Sequence, residues 1–343
     1  MSRIVVGLSG GVDSAAAAYL LRQEGHEVLG VTLRTWESGS SRCCEIDDAR
    51  ETAQMLGIPY HVINCAADFQ KTVEAPFAED RRRGVTPNPC VVCNREIKWK
   101  WMLYAAALFD ADAVATGHYA SLVRMENGRL AIAEAADRAK DQSYMLCRLT
   151  QEQLAKSIFP LGAYTKQEVR RIAECAGLPT AQKRDSQELC FAERAGEIPS
   201  EPGVIVDEHG AVLGTHRGYR HYTVGQRRGL GVAMGEPFYV KRILPAENTL
   251  VAAPEAALLR RECLCGELCF QSIPALLAGD SLRAVVKIRS HHAGAPAVVE
   301  ARGDGTALLR FDAPVRAPAP GQSAVFYDAA RCVIGAGVLL PEA

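Results

Sequence analysis

The chain has 343 residues, long enough for two or three domains with their own cores, and a formal net charge of −1 at pH 7. Near-neutrality excludes recognition of nucleic acid through bulk basicity, so an RNA partner has to be held by local clusters such as Arg81-Arg82-Arg83, Lys183-Arg184 or Arg227-Arg228, each of which alone reads as a solvated face. No apolar run approaches membrane-spanning length and Met1-Ser2-Arg3 carries no apolar signal region; a cytoplasmic protein without a membrane partner is expected, its 12 cysteines being thiols, metal or cluster ligands, or catalytic groups.

In chain order, Ile4, Val5, Val6 and Leu8 form a short run of strand formers that Ser9-Gly10-Gly11 breaks. Asp13 and Ser14 suit a helix start, and the alanine-rich stretch to Leu21 has high helix propensity. A strand, a glycine turn and a helix start gather free backbone N–H groups and a helix-dipole end at one point, which suits phosphate. The stretch is neither a Walker loop, since no Lys-Ser/Thr pair follows the glycines, nor the Gly-x-Gly-x-x-Gly dinucleotide fingerprint. The plainer reading is a corner that uses glycine for steric reasons alone.

Strands are expected at 26–33, 60–64 and 112–116, and helices at 45–56, 67–82 and 94–109. Such βα repeats imply a parallel sheet covered on both faces, with ligands at the carboxyl ends of the strands: after Leu8, near Leu33, and at Gly117-His118. Thr86-Pro-Asn-Pro-Cys-Val-Val-Cys-Asn94 reads as a loop before the last helix, and its Cys90-x-x-Cys93 spacing suits a redox pair, half a zinc site or part of an iron–sulfur set. Cys263, Cys265 and Cys269 read as ordinary buried thiols. Lys140-Asp141-Gln142-Ser143-Tyr144 is a polar loop, Lys166 to Ala176 an amphipathic helix, and Cys190, after Lys183-Arg184 and a polar run, either an activated or a structural thiol.

From about Pro199, short strands at 203–206, 238–243, 282–288, 297–301, 308–311, 324–327 and 333–338 suit small β domains, the last a barrel. The Pro-Ala repeat from Ala313 to Pro320 reads as a rigid connection, and Arg217, Arg220, Arg227, Arg228, Lys287 and Arg289 as candidates for an RNA-facing surface.

Ser9-Gly10-Gly11-Val12-Asp13-Ser14 resembles, residue for residue, the signature loop of the PP-loop ATP pyrophosphatases. Joined to Thr86-Pro-Asn-Pro…Cys93-Asn94-x-Glu96-Ile97-Lys98, Thr116-Gly-His-Tyr119, Lys140-Asp-Gln-Ser-Tyr144, Asp185-Ser186…Cys190-Phe191, His221-Tyr-Thr…Gly231 and Pro320-Gly-Gln…Tyr327, it makes nearly the whole chain resemble the tRNA-specific 2-thiouridylases. The resemblance implies an α/β fold: a parallel-sheet PP-loop catalytic domain over 1–197, a small central β-rich domain over 198–259 and a C-terminal β-barrel over 260–343. It implies adenylation of the wobble-uridine C2 oxygen by ATP with Mg2+, then sulfur transfer from a persulfide on Cys190 with Cys93 as its partner, the two thiols finishing as a disulfide or regenerated through further sulfur transfer. ATP contacts are implied for Gly7, Leu8, Ser9, Gly10, Gly11, Val12, Asp13, Ser14, Leu33 and Gly117. Target-base contacts are implied for Asn88, Pro89 and Cys90, and tRNA contacts for His118, Lys140, Asp141, Gln142, Arg289, Ser290 and Gln322. Implied partners are tRNAs for Lys, Glu and Gln and a cysteine desulfurase or sulfur-relay protein.

The sequence also departs from that family. Cys90 stands where aspartate is usual, so Cys90, Cys93 and Cys190 together resemble a [4Fe-4S] ligand set and raise a cluster-based route. The segment Ala192 to Pro202 is short, and Ser290-His291-His292 replaces a common Arg-Tyr. Competing readings are another ATP-pyrophosphatase ligase, of argininosuccinate or GMP synthase type, and a non-catalytic RNA-binding or sulfur-carrier protein.

Overall fold

The computed structural model describes residues 1–36, 46–183, 190, 200–232 and 235–341. The fold divides into two compact units that are not contiguous in sequence. One gathers Met1–Glu74 with the described residues of Cys90–Phe191 and with Ala330–Val333; the other gathers Ala75–Pro89 with those of Ala192–Ala329 and Ile334–Ala343.

The first unit opens with β1 (Arg3–Gly7), α1 (Val12–Gln23), β2 (Glu27–Arg34), α2 (Ile46–Leu56) and β3 (Tyr60–Asn64). The single helix expected over 67–82 is instead α3 (Ala66–Phe69), a π turn over Gln70–Glu74 and α4 (Ala75–Arg82), the last of which belongs to the second unit. The helix expected from Asn94 starts earlier, as α5 (Pro89–Cys93), and runs through a π segment (Asn94–Trp99) into α6 (Lys100–Leu108). Proline permits this start, because at a first helical position its fixed φ is already helical and its missing N–H would have had no partner. Thus both cysteines of the pair lie on helix rather than loop.

After β4 (Ala113–Ala115) comes a hairpin with no strong sequence signal, β5 (Ser121–Arg124) and β6 (Leu130–Ala133), then α7 (Gln151–Ala155), β7 (Ser157–Ile158) and α8 (Lys166–Cys175). Both α7 and α8 begin at threonine capping boxes, Thr150 with Gln153 and Thr165 with Glu168. The sheet order is β3-β2-β1-β4-β7, all parallel, with Gly7 opposite Val31 and Val6 opposite Ala115. The chain leaves β1 for β2 on one side and returns to β4 on the other, so the crevice beyond the carboxyl ends of β1 and β4 is the switch point of the sheet. Ala15, Ala16, Ala17 and Ala18 are all buried, and their small side chains let α1 lie close to the strands.

In the second unit, β8 (Gly203–Val206), β9 (Val212–His216), β10 (Phe238–Leu244) and β11 (Thr249–Pro254) form a sheet of order β10-β11-β8-β9. A closed barrel follows, β12 (Leu259–Phe270), β13 (Ser281–Lys287), β14 (Ala295–Ala301), β15 (Ala307–Arg316), β16 (Ser323–Tyr327) and β17 (Val333–Leu339), ordered β12-β15-β14-β13-β16-β17. The first part of the Pro-Ala stretch is strand, not connection: β15 runs to Arg316, and Pro314 is accommodated where the β12–β15 register breaks between Arg260 and Glu262. Within this unit Thr86 is held at both ends of its peptide, its N–H donating to Pro320 O at 2.9 Å and its O accepting from Gln322 Nε2 at 2.8 Å.

Candidate functional site

The carboxyl end of β1 turns through Ser9-Gly10-Gly11 into α1. Gly10 takes φ of +74°, which glycine adopts without penalty, and Gly11 is the extended N-cap residue. Among the described residues no side chain caps α1, which leaves its first N–H groups to a ligand. The serine hydroxyls brace the loop: Ser14 Oγ accepts from Ser9 N–H at 3.1 Å, donates to Gly11 O at 3.0 Å and lies 3.2 Å from Ser9 Oγ. Below the loop, Thr32 Oγ1 donates to Leu8 O at 2.6 Å and Leu8 N–H donates to Val31 O at 2.8 Å, tying it to β2. Leu33, at the end of β2, is buried beside this corner of the sheet.

Two lysines far away in sequence complete the corner. Lys166 Nζ reaches both carboxylate oxygens of Asp13, at 2.7 and 2.8 Å, and Tyr119 Oη donates to Asp13 Oδ1 at 2.8 Å. Lys183 Nζ donates to Gly10 O at 3.1 Å and pairs with Asp48; burial pushes its ammonium down from the usual lysine range. The loop lacks a Walker lysine of its own, and these two cations stand on it instead. Lys183 is therefore turned toward the loop.

Gly117, after β4, packs on the same corner. A Cβ there would lie 2.6 Å from Ser14 N and 2.7 Å from Asp13 C, both backbone atoms, so only glycine lets the β4 loop touch the start of α1. His118 shares a 2.8 Å hydrogen bond with Thr116 Oγ1 and lies against the Trp99 ring; enclosure, reinforced by the Lys98 charge, holds its imidazole well below the ordinary range and so neutral at pH 7. Asp141 and Gln142 act within the chain: Asp141 accepts from Ala135 N–H and from Ser143 N–H and Oγ, while Gln142 exchanges hydrogen bonds with the Tyr119 backbone at 2.8 and 2.9 Å. They fix the loop that carries Lys140 and hold Tyr119 on Asp13.

Cys90 and Cys93 sit three residues apart on α5, on one side of a helical turn; Cys93 is buried and Cys90 half-buried. Next to them Asn94 is buried, its amide nitrogen on Met145 O at 3.0 Å and its Oδ1 without a hydrogen-bond partner among the described residues. Cys190 is half-buried, and the ten described cysteines are in the thiol form. Among the described residues, which include Cys90, Cys93 and Cys190, no group of three or more His, Cys, Asp or Glu is arranged to hold a metal. No [4Fe-4S] ligand set is therefore formed among the described residues.

The remaining sequence candidates lie in the second unit. Asn88 and Pro89 follow the braced Thr86, and Gln322 is one of the groups that braces it. Arg289 and Ser290 sit in the turn after β13, where Arg289 O accepts from His292 N–H at 3.0 Å.

Three family models cover the chain: tRNA methyl transferase HUP domain over residues 2–194, tRNA methyl transferase PRC-barrel domain over 195–254 and aminomethyltransferase beta-barrel domain over 267–339. A relative in Lachnoclostridium phytofermentans, named tRNA-specific 2-thiouridylase MnmA, is 41% identical, the alignment covering 99% of this chain and all of that one. One of the same name in Chloroflexus aurantiacus is 42% identical over 100% of this chain and 99% of its own. The chain belongs to the tRNA-specific 2-thiouridylase MnmA family. A further family member, from Clostridium perfringens, is 39% identical over 98% of both chains. Among solved structures, a 4-thiouridine synthetase–RNA complex with bound ATP aligns with 55% of this chain and 45% of that one, at 17% identity and a TM-score of 0.37, too loose a likeness to carry an argument. No helix among the described residues is long and apolar enough to cross a membrane.

Lys166, Lys183 and Tyr119 are the site residues that sequence reasoning did not assign. Tyr119 stood inside a quoted motif, but neither lysine carried a local signal pointing to the loop.

Proposed function

We propose that this chain is an ATP-dependent tRNA-uridine 2-sulfurtransferase, acting on the wobble uridine and releasing AMP and pyrophosphate. The observation that carries this reading is full-length identity of about two residues in five to relatives named for that activity, joined to an uncapped glycine loop at the switch point of a parallel sheet. The word methyl in the family-model descriptions fits the chemistry less well, because a pyrophosphatase-type loop with two attendant lysines serves a polyphosphate.

The uridine C2 oxygen is a poor leaving group until it is phosphorylated. The amides of Gly10 to Ser14 and the lysines Lys166 and Lys183 draw negative charge toward pyrophosphate while the C2 oxygen attacks the α-phosphorus. Asp13, Ser9 and Ser14 are hard oxygen donors at the loop that would hold Mg2+ brought with the nucleotide, and the ion would supply charge neutralisation. The terminal sulfur of a Cys190 persulfide then attacks C2 and the C2–O bond to AMP breaks. Attack by the Cys93 thiolate on Cys190 Sγ releases the thiouridine and leaves a Cys93–Cys190 disulfide, which a dithiol reductant reopens. Cys90, Asn88 and Pro89 line the target base, which leaves its stack to be reached. Leu33 and Gly117 face the nucleotide, and His118, Lys140, Arg289, Ser290 and Gln322 the tRNA, with Asp141 and Gln142 acting through the loop they fix. The tRNAs are those for Lys, Glu and Gln, and the sulfur comes from a cysteine desulfurase or relay protein. We place the protein in the cytoplasm, where such sulfur chemistry meets tRNA.

The test is incubation of the protein with ATP, unmodified tRNA and a persulfide donor. One AMP per 2-thiouridine, lost with Cys93→Ser or Cys190→Ser, is expected; AMP release driven by an amine or carboxylate without tRNA overturns the reading.

A further inference from the structure

A cleft of about 640 Å³ opens within the second unit, where the Arg83–Val85 segment, β10, and strands β12, β15 and β17 come together. Its lining has an unusual composition. Five cations, Arg83, Lys241, Arg242, Arg260 and Arg302, stand around a floor of aliphatic residues such as Ile243, Leu264 and Leu308. Among the described residues, no aromatic, histidine, hydroxyl or amide side chain takes part. The one carboxylate, Glu262, is paired outside the lining with Arg310, at 2.5 Å. Lys241 pairs with Glu208, Arg83 lies 3.8 Å from Asp80, and Arg260 donates to the carbonyls of Ala257 and Leu259. Arg242 and Arg302 are exposed, and the side chain of neither makes a hydrogen bond or ion pair with a described residue, although Arg302 lends its charge to Asp304. The cleft therefore carries a concentrated positive charge that the fold itself does not neutralise.

Cations over aliphatic carbon bind phosphate and cover ribose. Reading bases takes hydrogen-bonding side chains or aromatic platforms, and this lining has neither. We propose that the cleft is a second, sequence-independent tRNA contact, in which Arg242 and Arg302, with Arg83, Lys241 and Arg260 behind them, hold successive backbone phosphates. The proposal rests on tRNA being the substrate and extends it to five cations that none of the tRNA contacts assigned above includes. A volume in the range of roughly 300–1,000 Å³ also admits a small molecule, which makes a free nucleotide the competing occupant.

The test uses the full-length protein with Arg242→Glu/Arg302→Glu and Arg242→Lys/Arg302→Lys double variants, measuring tRNA binding at several salt concentrations together with thiolation kinetics. The charge-reversed variant is expected to bind tRNA at least tenfold more weakly. The loss should be equal for substrate and non-substrate tRNAs, and the slope of log K against log salt should fall by about 1.4 to 1.8, at roughly 0.7 to 0.9 per phosphate. Its KM for tRNA rises with kcat and ATP affinity unchanged, and the lysine variant, which keeps the charge, stays within about threefold of the parent. Unchanged tRNA affinity and slope in a variant that melts like the parent overturn the proposal. So does a defect confined to free ATP or AMP binding, or to sulfur delivery by a donor protein. A parent protein that binds no tRNA refutes the functional reading itself, which separates the two failures.

Discussion

Replacing Gly11 by alanine distinguishes a glycine loop built for phosphate from a glycine corner built for packing. A Cβ on Gly11 meets only Ser9 Oγ, at 3.5 Å, an ordinary contact, and its φ of −101° suits alanine. Losing glycine at an N-cap costs about 0.5–1 kcal/mol, and the stiffer unfolded chain returns about 0.4–1 kcal/mol. The two offset, so the melting temperature should move by no more than about 3 °C. The same methyl group stands beside Ser9 Oγ, in the loop proposed to hold the phosphate. Displacing one hydrogen bond to a charged phosphate costs about 1.5–3 kcal/mol, a roughly 10- to 150-fold loss of ATP affinity. Gly117→Ala is the contrast: its Cβ presses on backbone atoms of Asp13 and Ser14, which cannot rotate away, so stability falls by about 1–3 kcal/mol along with ATP binding. Calorimetric titration with ATP beside thermal melting reads both. Gly11→Ala with parental ATP affinity would refute the phosphate assignment and leave the glycine a purely steric role.

Three further outcomes follow from the geometry. Lys166→Met leaves the Asp13 carboxylate with Tyr119 alone; because Asp13 is about a third exposed, the cost should be about 1–3 kcal/mol rather than the full value for a buried pair, seen in chemical denaturation together with a higher KM for ATP. His118 is held neutral in the fold but protonates near pH 6.5 when unfolded, so its contribution to stability is complete above that pH and is lost as the pH falls; melting from pH 8 to 5 should drop less steeply in His118→Asn than in the parent. Burial pushes the Cys265 thiol up to about 12, so at pH 8 iodoacetamide should label exposed Cys175 within minutes and leave Cys265 untouched in the native protein, as peptide mass mapping would read.

The catalytic half was legible where local signals were strong. Apolar runs bounded by glycine gave the strands 4–8, 26–33 and 60–64, and the six-residue loop gave its place at the end of β1. The helix interruptions were not legible, since the π segments at Gln70–Glu74 and Asn94–Trp99 insert a residue without changing composition. In the β-rich half β11 escaped notice because Leu250 to Ala253 are all buried and show no alternation, and β12 because Gly266 and the left-handed Glu267 break its period at a bulge. The site was half readable. The Ser9–Ser14 corner is local, but Lys166 meets Asp13 across 153 residues of sequence and Lys183 meets Gly10 across 173, and no periodicity carries such a contact. Gln322 read as a tRNA contact by position, while its amide is engaged with Thr86 O, a link visible only once the barrel is closed.

The account centres on activation of the uridine C2 oxygen by ATP, and the most direct measurement follows that oxygen. Transfer RNA carrying 18O at C2 of the wobble uridine would be thiolated by the protein with ATP and a persulfide donor, and the AMP examined by mass spectrometry. The account predicts one 18O in the phosphate of each AMP formed. AMP without the label, or label released as water while 2-thiouridine forms, would contradict it.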